Sequence, residues 1–311
     1  MTDSLIAIIL GVVEGITEFL PISSTGHLLI TEHWLPKQSD LFNVVIQCGA
    51  VLAVIPLFHQ RFHQFIFRWR DPKVMDYLIK IIAAFVISGI GGYIIDNFSK
   101  IMARLGITRI GGVILEKKQF KLPEELMPVA IALLVGGVLF LLVEWWLSRK
   151  QNETDASLAS VTWTVAVAVG LGQLIAMVFP GSSRSGTTIL LALILGLKRP
   201  LATEFSFLAG IPTMMAAGGY KIFQAFHHPV EQVHENWTMV WIASIVAAVV
   251  SFIVVKWFLH YVQTHTFVAF GWYRIVLAAL ILAGLLTGQL ADTEHAPPPP
   301  HATAAVMIVT Q

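Results

Sequence analysis

Charge is what this sequence has least of. Only 13% of its 311 residues are Asp, Glu, Lys or Arg, against about 25% in soluble domains. That scarcity excludes a water-soluble globule. With 56% hydrophobic residues and a mean hydropathy of +0.74, the chain reads as an integral membrane protein whose solvent is the bilayer. Net charge is equally scarce. The balance is +1, without the basic face that grips a nucleic-acid backbone, so no nucleic-acid partner is expected. Cysteine is nearly absent. Cys48 is the only one, so it forms no intrachain disulfide. It has no metal-ligand spacing around it and reads as a small buried hydrophobe. The first apolar stretch has acids and no basic n-region, so a cleavable signal peptide is not expected. No P-loop lysine pattern occurs either, which removes the commonest route to nucleotide binding.

What the chain does have is long apolar runs. Stretches of roughly 17–25 residues can cross a bilayer. Six fit: 41–58, 76–97, 127–147, 202–224, 237–258 and 272–290. Two further runs are interrupted. The first is GVVEGITEFLPISSTGHLLI (11–30), where apolar halves at 4–20 and 25–35 flank a Pro-Ser-Ser-Thr-Gly break. The second has halves at 160–179 and 187–197 around PGSSRSG (180–186). The charged stretch 99–126 is expected to be a surface loop with a short interfacial helix. Polar QNETD (151–155) separates the halves, and the Pro-rich tail at 291–311 is expected to be disordered.

The two broken runs correspond. Laying Pro21 on Pro180 aligns Gly11 with Gly170, Glu14 with Gln173, Ser23 with Ser182, and Ser24 with Ser183. Short, Gly/Pro-interrupted segments at matching positions are the best sequence pointer to an inverted-repeat membrane site. The expected architecture is an all-α polytopic membrane protein. It has one domain over 1–290, repeats at about 1–150 and 156–290, two re-entrant helical hairpins and about six transmembrane helices. Basic residues set an orientation. Arg61, Arg68, Arg70, Lys73, Arg149, Lys150, Lys198 and Arg199 fall on one side if both hairpins are re-entrant, and that side is taken as cytoplasmic. Loop 99–126 is basic too and falls outside in this scheme, but its length weakens the rule there.

The chemistry is concentrated at the breaks. Glu14 and Glu18 are four residues apart and share a helix face. Acids at membrane depth are a functional-site hypothesis by default. Such a pair is tolerable if it holds a proton, meets a cation, or binds a hard divalent metal such as Mg²⁺ or Ca²⁺. A bland reading is a solvated pair lining a vestibule. Ser23, Ser24 and Thr25 lead into the following helix. They can cap it, or can form an anion site with its free N–H groups and dipole. His27 can act as nucleophile or as general acid/base; alone it would read as a satisfied core residue. The second break supplies a positive charge. Arg184 is the only basic residue between Lys150 and Lys198, and its planar fork suits phosphate. Its alternative is a structural bridge to Glu14 or Glu18. Ser183, Ser185 and Thr188 add hydroxyls. The set favours phosphoryl over acyl transfer, with a lipid-tailed substrate.

EGITEFLPISSTGH (14–27) and PGSSRSG (180–186) resemble the two signature motifs of the undecaprenyl-diphosphate phosphatase family, the bacitracin-resistance protein type. EFSFL (204–208) and FNVVIQ (42–47) support the resemblance, which covers residues 1–290. It implies hydrolysis of a long-chain polyprenyl diphosphate, undecaprenyl diphosphate, to the monophosphate. It also implies a homodimer in the bacterial inner membrane, with its site open to the periplasm. Carried over by position, Glu14 and Glu18 are the acidic pair. Ser24 and His27 are the nucleophile or acid/base candidates, and Arg184 is the phosphate-binding arginine. Ser23, Thr25, Ser183, Ser185 and Thr188 are the phosphate shell. Ser182 falls at a variable position, and loop 99–126 is long. Attack by Ser24, by His27 or by water all remain open. A reading from another class is a lipid-phosphate transporter or flippase, since broken helices and inverted repeats are transporter features.

Overall fold

The structure is a computed structural model that describes residues 2–98, 109–110, 113–114, 125–149, 161–227 and 236–290. The described chain is helical almost throughout. The first broken run gives α1 (Asp3–Thr17) and α2 (Ser24–Trp34). There follow α3 (Asp40–Val54), a 3-10 turn (Ile55–Phe58), α4 (His59–Phe67) and α5 (Pro72–Asp96). A two-residue antiparallel ladder joins β1 (Arg109–Ile110) to β2 (Val113–Ile114). Then come α6 (Leu126–Arg149), the second broken pair α7 (Trp163–Val178) and α8 (Arg184–Ile194), α9 (Arg199–His227), α10 (Trp237–Thr264) and α11 (Val268–Leu286). The interfacial helix expected within 99–126, the QNETD linker, residues 228–235 and the tail at 291–311 for which disorder is expected lie outside the described residues.

Among the described residues, five helical stretches are long and apolar enough to cross a membrane: Asp40–Phe67, Pro72–Asp96, Leu126–Arg149, Trp237–Thr264 and Val268–Leu286. The sixth expected crossing, 202–224, lies within the 29-residue α9. That helix is less apolar because it carries Thr203, Glu204, Ser206 and Thr213 and an internal Pro212. Apolar side chains also cover the outside. Ile90 is 59% exposed, Trp241 63% and Leu280 63%. In water such a surface would aggregate; in a bilayer it is the solvated face.

Between helices in lipid, packing rather than water exclusion supplies the stabilisation, so small residues sit where backbones approach. A Cβ on Gly11 of α1 would lie 2.6 Å from the Ala243 carbonyl oxygen of α10. A Cβ on Gly170 of α7 would lie 3.0 Å from the Ala84 oxygen of α5. Gly170 follows Gly11 by 159 positions, and Ala243 follows Ala84 by the same interval. One packing arrangement is thus made twice, with the partners exchanged between halves.

Rings fill the interior below the site. Phe19, directly after Glu18, meets Phe207 edge-on at 5.1 Å, and Phe207 stacks on Phe258 at 6.0 Å. Each such pair adds about 0.5–1.5 kcal/mol beyond burial. Polar ties hold the helix ends. Buried Glu144 of α6 accepts from both Nε and Nη2 of Arg199, and from the backbone N–H of Phe267 at 2.9 Å. Glu204 of α9 accepts from Arg61 Nε at 2.7 Å and from the Tyr77 hydroxyl at 3.1 Å.

Candidate active site

Both breaks follow the same local chemistry. Proline lacks an amide hydrogen and disfavours helix in the residue before it. Helix α1 stops at Thr17 and α7 at Val178, each shortly before its proline. The next helix is restarted by a serine cap. Ser23 accepts from the Gly26 amide at 3.3 Å and Ser183 from the Gly186 amide at 3.2 Å. Among the described residues these two serines are the only non-glycines with positive φ, at 74° and 66°. Each such backbone costs about 1–3 kcal/mol and is held only where the surroundings impose it, as at ligand sites.

The caps correct the sequence alignment. Ser23 corresponds to Ser183, not to Ser182, and Ser24 corresponds to Arg184, not to Ser183. The reason is length. One residue, Ile22, separates Pro21 from its cap, whereas Gly181 and Ser182 separate Pro180 from its own. Gly181 has φ +90°, and a Cβ on it would come within 2.7 Å of the Val129 Cα, so only glycine fits.

The two first-turn residues, Ser24 and Arg184, converge on Glu18. The Ser24 hydroxyl donates to Glu18 Oε2 at 2.8 Å, and Gln47 Nε2 donates to the same oxygen at 3.2 Å. Arg184 Nη2 donates to Glu18 Oε1 at 3.2 Å. Glu18 is buried and thus carries three donors from three helices. Glu14, one helical turn before Glu18, is 1% exposed and leaves its Oε2 without a partner. The bridge between Arg184 and an acid therefore exists, and it is to Glu18 that Arg184 bonds.

The remaining expected residues lie around this hub. The Ser185 hydroxyl donates to the Leu20 carbonyl at 3.1 Å and lies 3.1 Å from Ser183 Oγ. The Thr188 hydroxyl is spent on the carbonyls of Arg184, at 2.8 Å, and Ser185, at 3.2 Å. Thr25 lies half-buried in the first turn of α2. His27 is turned elsewhere. Its Nδ1 faces the Ser23 carbonyl at 2.7 Å and its Nε2 the Tyr273 hydroxyl at 2.6 Å. A carbonyl only accepts, so in the neutral ring Nδ1 holds the hydrogen and Nε2 accepts from Tyr273. Three residues to which the sequence reading gives no site role therefore enter the site region: Gln47 on Glu18, Tyr273 beside His27, and Gly210 of α9, where any Cβ would collide with the Arg184 guanidinium.

For a metal, the protein offers two carboxylates. Among the described residues no three His, Cys, Asp or Glu side chains converge. The unpartnered Oε2 of Glu14 beside Glu18 fits Mg²⁺, which is commonly held by one or two carboxylates with substrate phosphates completing the shell; Ca²⁺ would take more oxygen ligands besides these two acids.

The fold and the site define a polytopic all-α membrane protein with a buried acid–arginine–hydroxyl cluster held between two re-started helices. Residues 7–280 match the family described as bacitracin resistance protein BacA. The chain is 44% identical over 290 residues to the undecaprenyl-diphosphatase of Rhizobium etli, covering 93% of this chain and all of that protein. It is 43% identical to the undecaprenyl-diphosphatase of Xylella fastidiosa, over 92% of this chain and all of that one. To that of Xanthomonas euvesicatoria it is 44% identical, over 92% and 98%. The chain belongs to the BacA bacitracin resistance family.

Proposed function

We propose that this protein hydrolyses undecaprenyl diphosphate to undecaprenyl phosphate and inorganic phosphate, recycling the carrier lipid for cell-wall synthesis and so conferring bacitracin resistance. The observation that carries the reading is the convergence of Ser24 and Arg184, each in the first turn of a re-started helix, on one buried carboxylate. Helix N-termini present amides and a positive dipole end to anions, and arginine adds a fork for two phosphate oxygens. The names of the relatives support the same activity, and nothing favours the transporter reading over it.

In the proposed mechanism the terminal phosphate takes the place of Glu18 on Arg184. Ser24 Oγ attacks the terminal phosphorus, and Glu18, already its hydrogen-bond acceptor, takes the proton. The bond to the bridging oxygen breaks and undecaprenyl phosphate leaves. Water then attacks the phosphoserine while Glu18 returns its proton to Ser24 Oγ; the P–Oγ bond breaks, the water's hydrogens leave on the released phosphate, and Ser24 and ionised Glu18 are restored. Glu14 and Glu18 would hold a divalent cation, Mg²⁺ or Ca²⁺, which when bound neutralises charge on the diphosphate oxygens. Tyr273 holds His27 by a hydrogen bond, so attack by His27 would first require that bond to break.

The proposed setting is the bacterial inner membrane, with the site open to the periplasm and the chain paired as a homodimer. The basic residues near the ends of α4, α6 and the start of α9 support that orientation by the positive-inside rule. The test is phosphate release from a long-chain prenyl diphosphate by purified protein in detergent. Release at catalytic turnover is expected. No release, together with movement of intact lipid diphosphate across sealed vesicles, would replace the enzyme by the transporter.

A further inference from the structure

Arg274 lies in α11, within an apolar span, and is fully buried. A cation at membrane depth is costly and marks function by default. Its surroundings are unusual in kind: all five of its hydrogen bonds go to backbone carbonyls. Nη1 donates to Pro21 O at 3.3 Å. Nη2 donates to Gly181 O at 3.3 Å and Ser182 O at 3.1 Å. On α6, Nη2 reaches Ala132 O at 3.2 Å and Nε reaches Leu133 O at 3.4 Å.

The first three acceptors are the crossovers themselves. Pro21 lies two residues before the Ser23 cap, and Gly181 and Ser182 directly precede the Ser183 cap. One side chain thus ties the break of each half to the other and both to α6. Space is kept for it: a Cβ on Gly136 would collide with the guanidinium, and one on Gly186 would come within 3.0 Å of Nη1. A fixed five-donor fork can bridge three chain segments at once, which three-donor lysine cannot match.

We infer that Arg274 is a positioning residue for the proposed hydrolysis, a clamp that sets the two serine-capped tips against each other so that Ser24 and Arg184 reach Glu18 together. It touches no substrate in this scheme. Its action passes through the crossover carbonyls to the strained caps, and from there to the first residue of each re-started helix. The inference rests on the site assignment made above.

The experiment compares wild type, Arg274→Met and Arg274→Lys, purified in detergent. Two quantities are read: steady-state phosphate release from a long-chain prenyl diphosphate, and amide hydrogen exchange of peptides covering 18–30 and 178–190. A misplacement of about 1 Å is worth ~10²-fold in rate. Arg274→Met is therefore expected to lose about that much, mostly in kcat. Arg274→Lys should lie between it and wild type. In both variants exchange should rise at both tips together, with the rest of the fold protected as before. If Arg274→Met does not fold, the lysine variant carries the test. A folded lysine variant with wild-type kcat and unchanged exchange at the tips overturns the clamp. So does loosening confined to one tip. An inactive wild type would instead count against the proposed reaction, while the exchange comparison would still decide the clamp.

Discussion

Arg184 donates to Glu18 across 3.2 Å, joining residues 166 positions apart. Glu18 is buried and Arg184 half-buried, with side-chain exposures of 4% and 16%. Removing one member of such a pair leaves the other charge uncompensated. Arg184→Ala is therefore expected to lose at least ~10²-fold in phosphate release, the scale of one preorganised contact to developing charge. Retention of full activity by that variant would remove Arg184 from the site.

The hydrogen bond from Ser24 to Glu18 predicts which atom is phosphorylated. Rapid quenching of turnover on labelled substrate should trap phosphate on Ser24. Label on His27 would reassign the nucleophile, and label on neither would indicate direct attack by water. Tyr273→Phe removes one hydrogen bond to His27, so a rate change of less than about tenfold is expected. A loss of several hundredfold would place the Tyr273–His27 pair in the chemistry.

Gly210 predicts an effect at a distance from the phosphate itself. Alanine there would push the Arg184 guanidinium out of its place on α9. Gly210→Ala should fold, because alanine favours helix by about 1 kcal/mol over glycine, yet should lose most of its activity. Wild-type turnover in Gly210→Ala would mean that Arg184 is free to work from another position.

Cation removal tests the pair of acids. Chelation is expected to abolish phosphate release, and added Mg²⁺ or Ca²⁺ to restore it. Glu14→Gln should raise the cation concentration needed for half-maximal rate. Undiminished turnover in chelator would leave Glu14 and Glu18 to proton transfer alone.

Stability should respond elsewhere. Glu144 is buried and accepts from Arg199 and the Phe267 amide. Glu144→Ala strands that amide, at about 1–3 kcal/mol. A fall in thermal midpoint is expected, with kcat of the folded fraction unchanged. A folded variant with lowered kcat would tie this end of the molecule to catalysis.

Much of this was legible in the sequence because the membrane punishes exceptions. A proline, two acids and a serine run inside apolar sequence can mark only a break, and the helices at 3–17, 24–34, 163–178 and 184–194 fall within a few residues of the expected halves. Arg184 stood out as the lone cation of its stretch. The serine register was not legible. It depends on backbone φ at Ser23 and Ser183, whereas aligning the prolines without a gap matches more letters. Arg274 was hidden differently. Its partners are carbonyl oxygens, which every residue has, so no complementary side chain elsewhere announces it. Tyr273 meets His27 only through the docking of α11, 246 positions away.

The extra residue in the second crossover has a wider consequence. Counted from the caps rather than from the prolines, Arg184 stands at the structural address that Ser24 occupies in the first half. A duplicated scaffold left unaltered would present the same group twice and suit a symmetric ligand. Here the two copies present unlike groups at that address, a neutral hydroxyl and a cation, and both donate to Glu18. In the proposed reaction a diphosphate entering between them would meet unlike ends, which would distinguish its terminal phosphorus from the one that bears the lipid.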